Sequence, residues 1–232
     1  MPTSWLPIPL LVLVLLLLLR EETRPVRNLS RVRVWKPLAT ALVALIAALS
    51  LLQPIYLLPY TLLVLAALLA SLVGDWLQIE GEPGTRRFVG GMAAFAAAHL
   101  LYIVAFTYAQ TVRGDALNLP REVALAAVIG LLALVVYVYL RPSLGGLARP
   151  VLVYITMLCL MVHRAIAGVE VGAGLLSQSV LVGAGAVLFY ISDLMLAINT
   201  FAFGGEGRAN SAWVLSTYYC AQLFFALSAS AF

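Results

Sequence analysis

Charged residues are scarce in this sequence of 232 residues. Only 10% of the residues are Asp, Glu, Lys or Arg, whereas 63% are hydrophobic. Soluble globular domains carry about 25% charged residues, and a soluble core cannot absorb so much apolar surface. The composition therefore predicts an integral membrane protein. Because each membrane-spanning helix needs about 20 mainly apolar residues, we expect an all-α bundle of about eight spans, forming a single domain over residues 1–232.

Cysteine and histidine are also rare, with two of each. Cys159 and Cys220 fall inside apolar runs, where we expect them to be buried as small hydrophobic side chains rather than joined in a disulfide. A catalytic zinc site normally needs three protein ligands around an open position. Two histidines give little material for such a site, and we expect neither a metal nor another cofactor.

Turn-forming residues divide the apolar sequence into eight segments. The breaks combine glycine or proline with charge, as in Gly81-Glu82-Pro83-Gly84 and Gly204-Gly205-Glu206-Gly207. We predict spans near residues 5–19, 35–53, 55–79, 87–109, 120–140, 149–168, 175–203 and 210–231.

The basic residues predict how these spans are oriented, since Lys and Arg are retained on the cytoplasmic side during insertion. With both termini on the non-cytoplasmic side, 11 of the 14 cations face the cytoplasm, and only Arg113, Arg121 and Arg164 do not. The first loop alone carries Arg20, Arg24, Arg27, Arg31, Arg33 and Lys36. The net charge of +4 is thus explained by topology and by contact with membrane lipids, and it gives no reason to invoke nucleic acid.

Eight of the ten acidic residues lie in loops or at span ends, and the exceptions are Asp75 in the third span and Asp193 in the seventh. An ionisable group at membrane depth is costly and usually faces a cavity or a partner. Neither aspartate has a Lys or Arg one helical turn away in the sequence. With a rise of about 1.5 Å per residue, both fall in the cytoplasmic half of the bundle, and Asp193 lies deeper. We predict that these two residues carry the chemistry.

Other polar residues share helical faces with the two aspartates or form similar faces on other spans. These faces must point away from lipid. The alternative is that such residues serve only as hydrogen bonds between helices, which is common in membrane bundles. The candidates are His99 and Tyr102 in the fourth span, Ser192 and Asn199 in the seventh, and Tyr218 and Gln222 in the eighth.

The residues that stand out also resemble the sequence pattern of the YhhN family. The resemblance covers most of the chain and implies a lysoplasmalogenase with eight membrane spans, which hydrolyses the vinyl ether bond of a lysoplasmalogen to a fatty aldehyde and glycerophospho-ethanolamine or glycerophospho-choline. It rests on Lys36-Pro37-Leu38, Gly74-Asp75, His99-Leu100-Leu101-Tyr102, Ser192-Asp193, Tyr218-Tyr219 and Ala221-Gln222.

Two carboxyl groups suit this chemistry, because cleavage of a vinyl ether needs a proton donor and a group that handles water. A pair in a site of low dielectric constant can hold one proton between them. We expect Asp193 to be protonated and to act as the general acid, while Asp75, nearer to water, activates the nucleophile; the reversed assignment is the alternative. Lys36 is expected to bind the substrate phosphate or to be only an interfacial anchor. The remaining candidates are expected to contact the substrate: His99, Tyr102, Ser192, Asn199, Tyr218 and Gln222.

A weak internal repeat is also predicted. Lys36-Pro37 is echoed by Arg149-Pro150, and Gly74-Asp75 by Ser192-Asp193, after intervals of 39 and 44 residues. Residues 1–118 and 119–232 would each contain four spans. An even number of spans preserves orientation, so the repeat would be parallel, with the aspartates facing one another across the junction.

Three other classes of protein would use similar residues. An intramembrane aspartyl protease also needs two aspartates, but its glycine-x-glycine-aspartate element is missing around Asp75. A zinc-dependent, ceramidase-like hydrolase would need more ligands than two histidines offer. A non-enzymatic carrier of lipids or protons would use the same carboxylates for binding or relay. We expect a location in a bacterial inner membrane, and the sequence predicts no oligomeric state.

Overall fold

Eight α-helices account for most of the chain in the computed structural model, which describes residues 3–24, 26, 28–170, 172–204 and 208–232. No strand occurs in these ranges. The helices are α1 (Ile8–Glu22), α2 (Leu29–Leu49), α3 (Leu58–Gln78), α4 (Arg86–Arg113), α5 (Leu119–Leu144), α6 (Ala148–Ala167), α7 (Gln178–Phe201) and α8 (Arg208–Ser228).

Six helical stretches in the described part of the chain are long and apolar enough to cross a membrane. One of them, Leu119–Ala167, contains both α5 and α6. The predicted all-α membrane bundle is thereby confirmed, and each predicted span corresponds to one helix. The number of eight spans and the side on which the termini lie stay predictions. Arg27 of the basic first loop and residues 205–207 of the last break lie outside the described residues.

Local sequence explains where several helices begin. Ncap side chains accept hydrogen bonds from the free backbone N–H groups of the first turn, which stabilises the helix start. Asn28, Thr85, Asn118 and Ser177 do so for α2, α4, α5 and α7. At the other end of α4, Gly114 adopts a φ of 75°, a left-handed conformation that favours glycine.

The helices pack in a pattern that is the same in both halves of the chain. The largest interfaces join α3 to α4 and α7 to α8, and each half also pairs its first helix with its second and its second with its third. The halves meet where α4 packs on α6 and α8 packs on α2. This arrangement supports the parallel repeat, which remains our proposal for the origin of the fold.

The three cations on the predicted outer side all bind near the carboxyl end of α6. Arg113 donates to the Gly168 carbonyl at 3.1 Å, and Arg121 donates to the carbonyls of Ile166 and Val169 at 3.1 and 3.2 Å. Arg164, in the last turn of α6, pairs with Glu122 at 3.1 Å. Cations are favourable at helix carboxyl ends, where backbone carbonyls lack partners. These arginines therefore have a structural role.

On the predicted cytoplasmic side, Glu80 joins three helices. It follows α3 and binds Arg33 of α2 and Arg87 of α4. The hydrogen bonds from Arg33 and Arg87 lower the pKa of the Glu80 carboxyl group below its ordinary value. This ion pair network fixes the end of α3 that lies one turn beyond Asp75.

The expectation for the cysteines is wrong for one of the two. Cys159 is half-buried, but Cys220 is exposed. A thiol is a small and weakly polar group, so it is tolerated on a helix face that points towards lipid.

A substitution at Gly185 tests the close packing of α7 on α8. A Cβ at this position would lie 2.8 Å from the Phe225 ring and 3.2 Å from the Ala221 carbonyl oxygen. We expect Gly185→Leu to destabilise the protein by about 1–3 kcal/mol or more, because overpacking forces backbone and side chains apart. Gly130→Leu is the matched control, since nothing lies within 4 Å of a Cβ there. Thermal unfolding in detergent measures both variants, and an equal effect on the two would contradict the close-packing argument.

Candidate active site

Both predicted catalytic aspartates line one cavity in the predicted cytoplasmic half of the bundle. The cavity encloses about 810 Å³, including its open mouth, and every helix except α5 contributes to its wall. We call it the polar chamber. Its polar lining consists of Glu22, Lys36, Asp75, Gln78, Tyr154, Ser192, Asp193, Asn199, Ser211 and Tyr218.

Asp75 of α3 is held by donors from two other helices. Its Oδ2 atom accepts hydrogen bonds from Thr40 Oγ1 of α2 at 2.6 Å and from the Tyr218 hydroxyl of α8 at 2.9 Å. Lys36 Nζ lies 3.2 Å from Oδ1. The residue is only 1% exposed. An ionised carboxylate is an acceptor only, so one cation and two hydroxyl donors form an environment that suits this ionised form.

Lys36 is therefore first of all the partner of Asp75. The sequence predicted that Lys36 binds the substrate phosphate or is only an interfacial anchor, and it offered no cation one turn from either aspartate along the chain. The partner of Asp75 comes instead from α2, which packs against α3. Lys36 also lines the polar chamber, and phosphate binding stays a prediction. Thr40 was not predicted, although it lies one helical turn after Lys36 and faces the same way.

A chain of hydrogen bonds extends from Asp75 away from the chamber. The Tyr218 hydroxyl that donates to Asp75 accepts a bond from Gln222 Nε2 at 3.0 Å, and the Tyr102 hydroxyl donates to Gln222 Oε1 at 2.7 Å. Tyr102 and Gln222 are buried behind the chamber and do not line it. Direct contact of these two residues with a substrate stays a prediction. They orient Tyr218, and through it Asp75.

Asp193 of α7 has a different environment. Its Oδ2 atom accepts a hydrogen bond from the Tyr154 hydroxyl at 2.5 Å, and no ion pair to it forms among the described residues. Asp193 is partly exposed within the cavity, whereas Asp75 is enclosed. The expectation that Asp75 is the more accessible carboxyl is therefore wrong, because Lys36, Thr40 and Tyr218 cover it.

Tyr154 was missed by the sequence analysis. It lies on the buried stripe of α6 between Val151 and Leu158, spaced by three and four residues. A tyrosine on such a stripe usually needs a partner for its hydroxyl, and this was the available clue. The partner belongs to α7, which the sequence did not identify.

The other residues that were predicted to contact the substrate differ in their positions and partners. Asn199 lines the chamber, and its buried Oδ1 atom has no hydrogen-bond partner among the described residues. Ser192 lines it too, but its hydroxyl donates to the Val214 carbonyl at 2.9 Å, which links α7 to α8 and matches the interhelical alternative. His99 is fully buried outside the chamber, and in the part of the chain that the structure describes neither of its ring nitrogens has a partner. Its ring packs on Tyr154 and Phe189, with centroid distances of 5.3 and 5.1 Å.

A second cavity adjoins the polar chamber. It encloses about 700 Å³ with its openings, and its lining is mostly aliphatic and aromatic. We call it the apolar cavity. Gln78, Tyr154, Asp193 and Leu196 line both cavities. Asp193 and Tyr154 thus lie at the boundary between a polar and a hydrocarbon space.

Comparison with known proteins identifies the family. The model of the YhhN family matches residues 32–229. The chain belongs to the YhhN family. The matched segment contains every residue of the predicted site, from Lys36 to Gln222, and the resemblance found in the sequence is confirmed.

Curated relatives of this YhhN protein carry one activity name. Lysoplasmalogenase TMEM86A of Bos taurus is 35% identical over 168 residues, which is 72% of this chain and 64% of the relative. Lysoplasmalogenase TMEM86B of Homo sapiens is 37% identical over 171 residues, covering 73% and 64%. The lysoplasmalogenase of Mycobacterium tuberculosis is 35% identical over 158 residues, covering 63% and 53%. The chain thus spans less than two thirds of the length of these relatives. No solved structure matches it.

Removing Lys36 from this YhhN protein should destabilise it. Lys36→Met would leave Asp75 buried without its cation, and breaking a buried pair in this way costs about 3–5 kcal/mol. Lys36→Met/Asp75→Asn should recover part of that loss, since no uncompensated charge remains. Thermal unfolding in detergent measures the cycle.

Arg149→Met is the control, because Arg149 is the exposed cation at the corresponding position of the proposed second repeat and forms no ion pair within the described residues. A double variant less stable than Lys36→Met would show that the ion pair is not the source of the effect.

Proposed function

We propose that this protein is a lysoplasmalogenase, which hydrolyses the vinyl ether bond of a lysoplasmalogen to a fatty aldehyde and a glycerophospho-ethanolamine or glycerophospho-choline. The main support is that two carboxyl groups with different partners line one chamber that joins a hydrocarbon cavity. The names of the curated relatives support the same activity. A bacterial inner membrane is the proposed location.

The reaction consumes one water molecule and requires protons to be moved at two places. A proton adds to the alkene carbon that is remote from the ether oxygen, and the positive charge is shared by the other alkene carbon and that oxygen. Water then adds to the charged carbon and loses a proton to a base, which gives a hemiacetal. When the carbon–oxygen bond to the glycerol breaks, the hemiacetal hydroxyl gives up its proton to form the aldehyde, and the glycerol oxygen takes up a proton. The site must therefore supply an acid and a base.

Asp193 is the better candidate for the acid. No cation among the described residues pairs with it, and it faces the boundary between the polar and apolar spaces. A carboxyl group that lies beside a hydrocarbon space and has no counter-charge favours its neutral form, which carries the proton that the alkene needs. The Tyr154 hydroxyl fixes the orientation of the group.

Asp75 is the better candidate for the negatively charged partner. Lys36, Thr40 and Tyr218 all favour a carboxylate there. This carboxylate would accept a proton from the attacking water and stabilise the cationic intermediate through space. Tyr102 and Gln222 act through Tyr218, as positioning residues. The reversed assignment would require the acid to be the group that holds the cation, which is less consistent with these contacts.

The remaining chamber residues suit a charged head group. Asn199 offers a carbonyl oxygen that no described residue bonds to, and Lys36 lies on the wall. We propose that Lys36 contacts the phosphate while it keeps its ion pair with Asp75, and that Asn199 contacts the head group. Ser192 and His99 have structural roles in this proposal, because the first is bonded to α8 and the second lies behind Tyr154.

Replacing either aspartate tests the proposed acid and base. We expect Asp193→Asn and Asp75→Asn each to lower kcat for aldehyde release by roughly 10²–10⁴-fold, the usual contribution of a positioned acid or base. Glu82→Gln, in the exposed turn between α3 and α4, is the control and should retain wild-type turnover. Thermal unfolding of each variant checks that it is folded. Wild-type turnover in either aspartate variant would rule out the dyad.

The substrate series tests the bond that is cleaved. Purified protein in detergent is given a lysoplasmalogen, its saturated ether analogue and its acyl analogue, and the products are identified by mass spectrometry. We expect aldehyde from the vinyl ether alone, since only a carbon–carbon double bond conjugated with oxygen can be activated by protonation at carbon. Activity should be insensitive to chelators, which separates this mechanism from a zinc hydrolase. Equal cleavage of the acyl compound would indicate an esterase, and the absence of any product would favour a carrier.

A further inference from the structure

The apolar cavity is lined mainly by hydrocarbon side chains. Its lining residues come from the last residue of α3 and from α4, α5, α6 and α7, and most are apolar, including Phe88, Met92, Val136, Ile155 and Leu158. Of its polar lining residues, three are shared with the polar chamber: Gln78, Tyr154 and Asp193. Beyond that boundary the wall is almost entirely hydrocarbon.

The apolar cavity also borders a groove on the outer surface of the bundle. A groove between α5 and α6 is lined by residues such as Gly130, Leu134 and Leu160. Ala133 and Ile155 line both this groove and the apolar cavity. Leu134 and Leu160 are largely exposed, and in a membrane-embedded bundle such residues face lipid. The apolar cavity is therefore separated from the lipid-facing groove by a wall that includes Ala133 and Ile155.

The two cavities together fit one kind of molecule. Their shared boundary is formed by Asp193 and Tyr154, with a charged chamber on one side and hydrocarbon on the other. A molecule that fills both must be polar at one end and carry a single aliphatic chain at the other, and it must cross the boundary at the junction of these two parts. In a lysophospholipid of the vinyl ether class, that junction is the bond that is cleaved.

We propose that the apolar cavity is the binding site for the aliphatic chain of the substrate, and that it places the first carbons of the chain against Asp193 and Tyr154 while the head group occupies the polar chamber. The chemical identity of this lipid rests on the proposed function. A second chain would have to enter the polar chamber, so the arrangement selects a lipid with one chain. Because lipid tails are as apolar as the cavity wall, the site adds little affinity and mainly sets the position of the bond.

Photolabelling of the wild-type protein tests the location of the chain. The probe is a saturated ether lysophospholipid with a diazirine near the end of its chain, which the proposed reaction does not consume. We expect adducts on lining residues such as Met92, Val136, Ile155 and Leu158, reduced at least fivefold by excess unlabelled lysoplasmalogen. Adducts confined to lipid-facing residues such as Val128, Leu131 and Leu132, or adducts that the competitor does not reduce, would overturn the proposal.

A cavity-filling variant tests whether the chain site positions the bond. Ala197→Trp, one turn after Asp193 on α7, would occupy the apolar cavity, and Ala184→Trp places the same side chain on an exposed position of the same helix. We expect Ala197→Trp to lower kcat/KM for a long-chain lysoplasmalogen at least tenfold more than for a short-chain analogue, and to remove the protected adducts. Ala184→Trp should cause no such chain-length-dependent loss of kcat/KM and should leave the protected adducts in place. Equal losses for both chain lengths would contradict the proposal.

These results separate the chain site from the proposed function. Protected labelling of the cavity in a protein that releases no aldehyde would retain the chain site and reject the lysoplasmalogenase. Aldehyde release without protected labelling would retain the lysoplasmalogenase and reject the chain site.

Discussion

The ion pair between Lys36 and Asp75 is the constraint on which the rest of the site depends. A carboxylate that is 1% exposed at membrane depth is stable only if nearby groups replace its hydration. Lys36 and Thr40 bring α2 to it, and Tyr218 brings α8. The same contacts that neutralise the charge therefore join the two halves of the bundle, since α2 and α8 belong to different halves. The contacts of Asp75 thus serve both the packing of the helices and the geometry of the site.

The two carboxyl groups differ because their neighbours differ. Asp75 is compensated by a cation and by a chain of hydroxyl and amide groups that runs back to Tyr102. Asp193 has the Tyr154 hydroxyl as its hydrogen-bond donor and a largely hydrocarbon space beside it. If the bundle is a repeat, α2 and α6 occupy corresponding positions, yet one presents a lysine to its aspartate and the other a tyrosine. The acid and base roles would then have arisen through divergence at these contacts.

The sequence predicted the helices and both aspartates because these depend on local composition and on the cost of a charge in lipid. It placed Tyr102 and Gln222 on inward faces, and both are buried. It could not predict that they bond to each other rather than to a substrate, because helical periodicity identifies a face and not the neighbouring helix. Tyr154 was missed for the same reason, and the sequence could not show that His99 packs on Tyr154 outside the polar chamber. Depth along the helix likewise failed to predict accessibility, since side chains from other helices cover Asp75.

The boundary at Asp193 gives a reason why the proposed hydrolysis of a lysolipid would take place within a membrane bundle. A lysolipid has its polar and apolar parts joined at the bond that must be protonated, so an acid works best where the two environments meet. In water the alkene would be hidden in a micelle, and in the bilayer the acid would lack a route for protons. In the proposed function, helices that place a polar chamber beside a hydrocarbon cavity would bring both parts of the lipid to one carboxyl group. The position of Asp193 between the cavities is thus a stronger functional argument than its presence within an apolar helix.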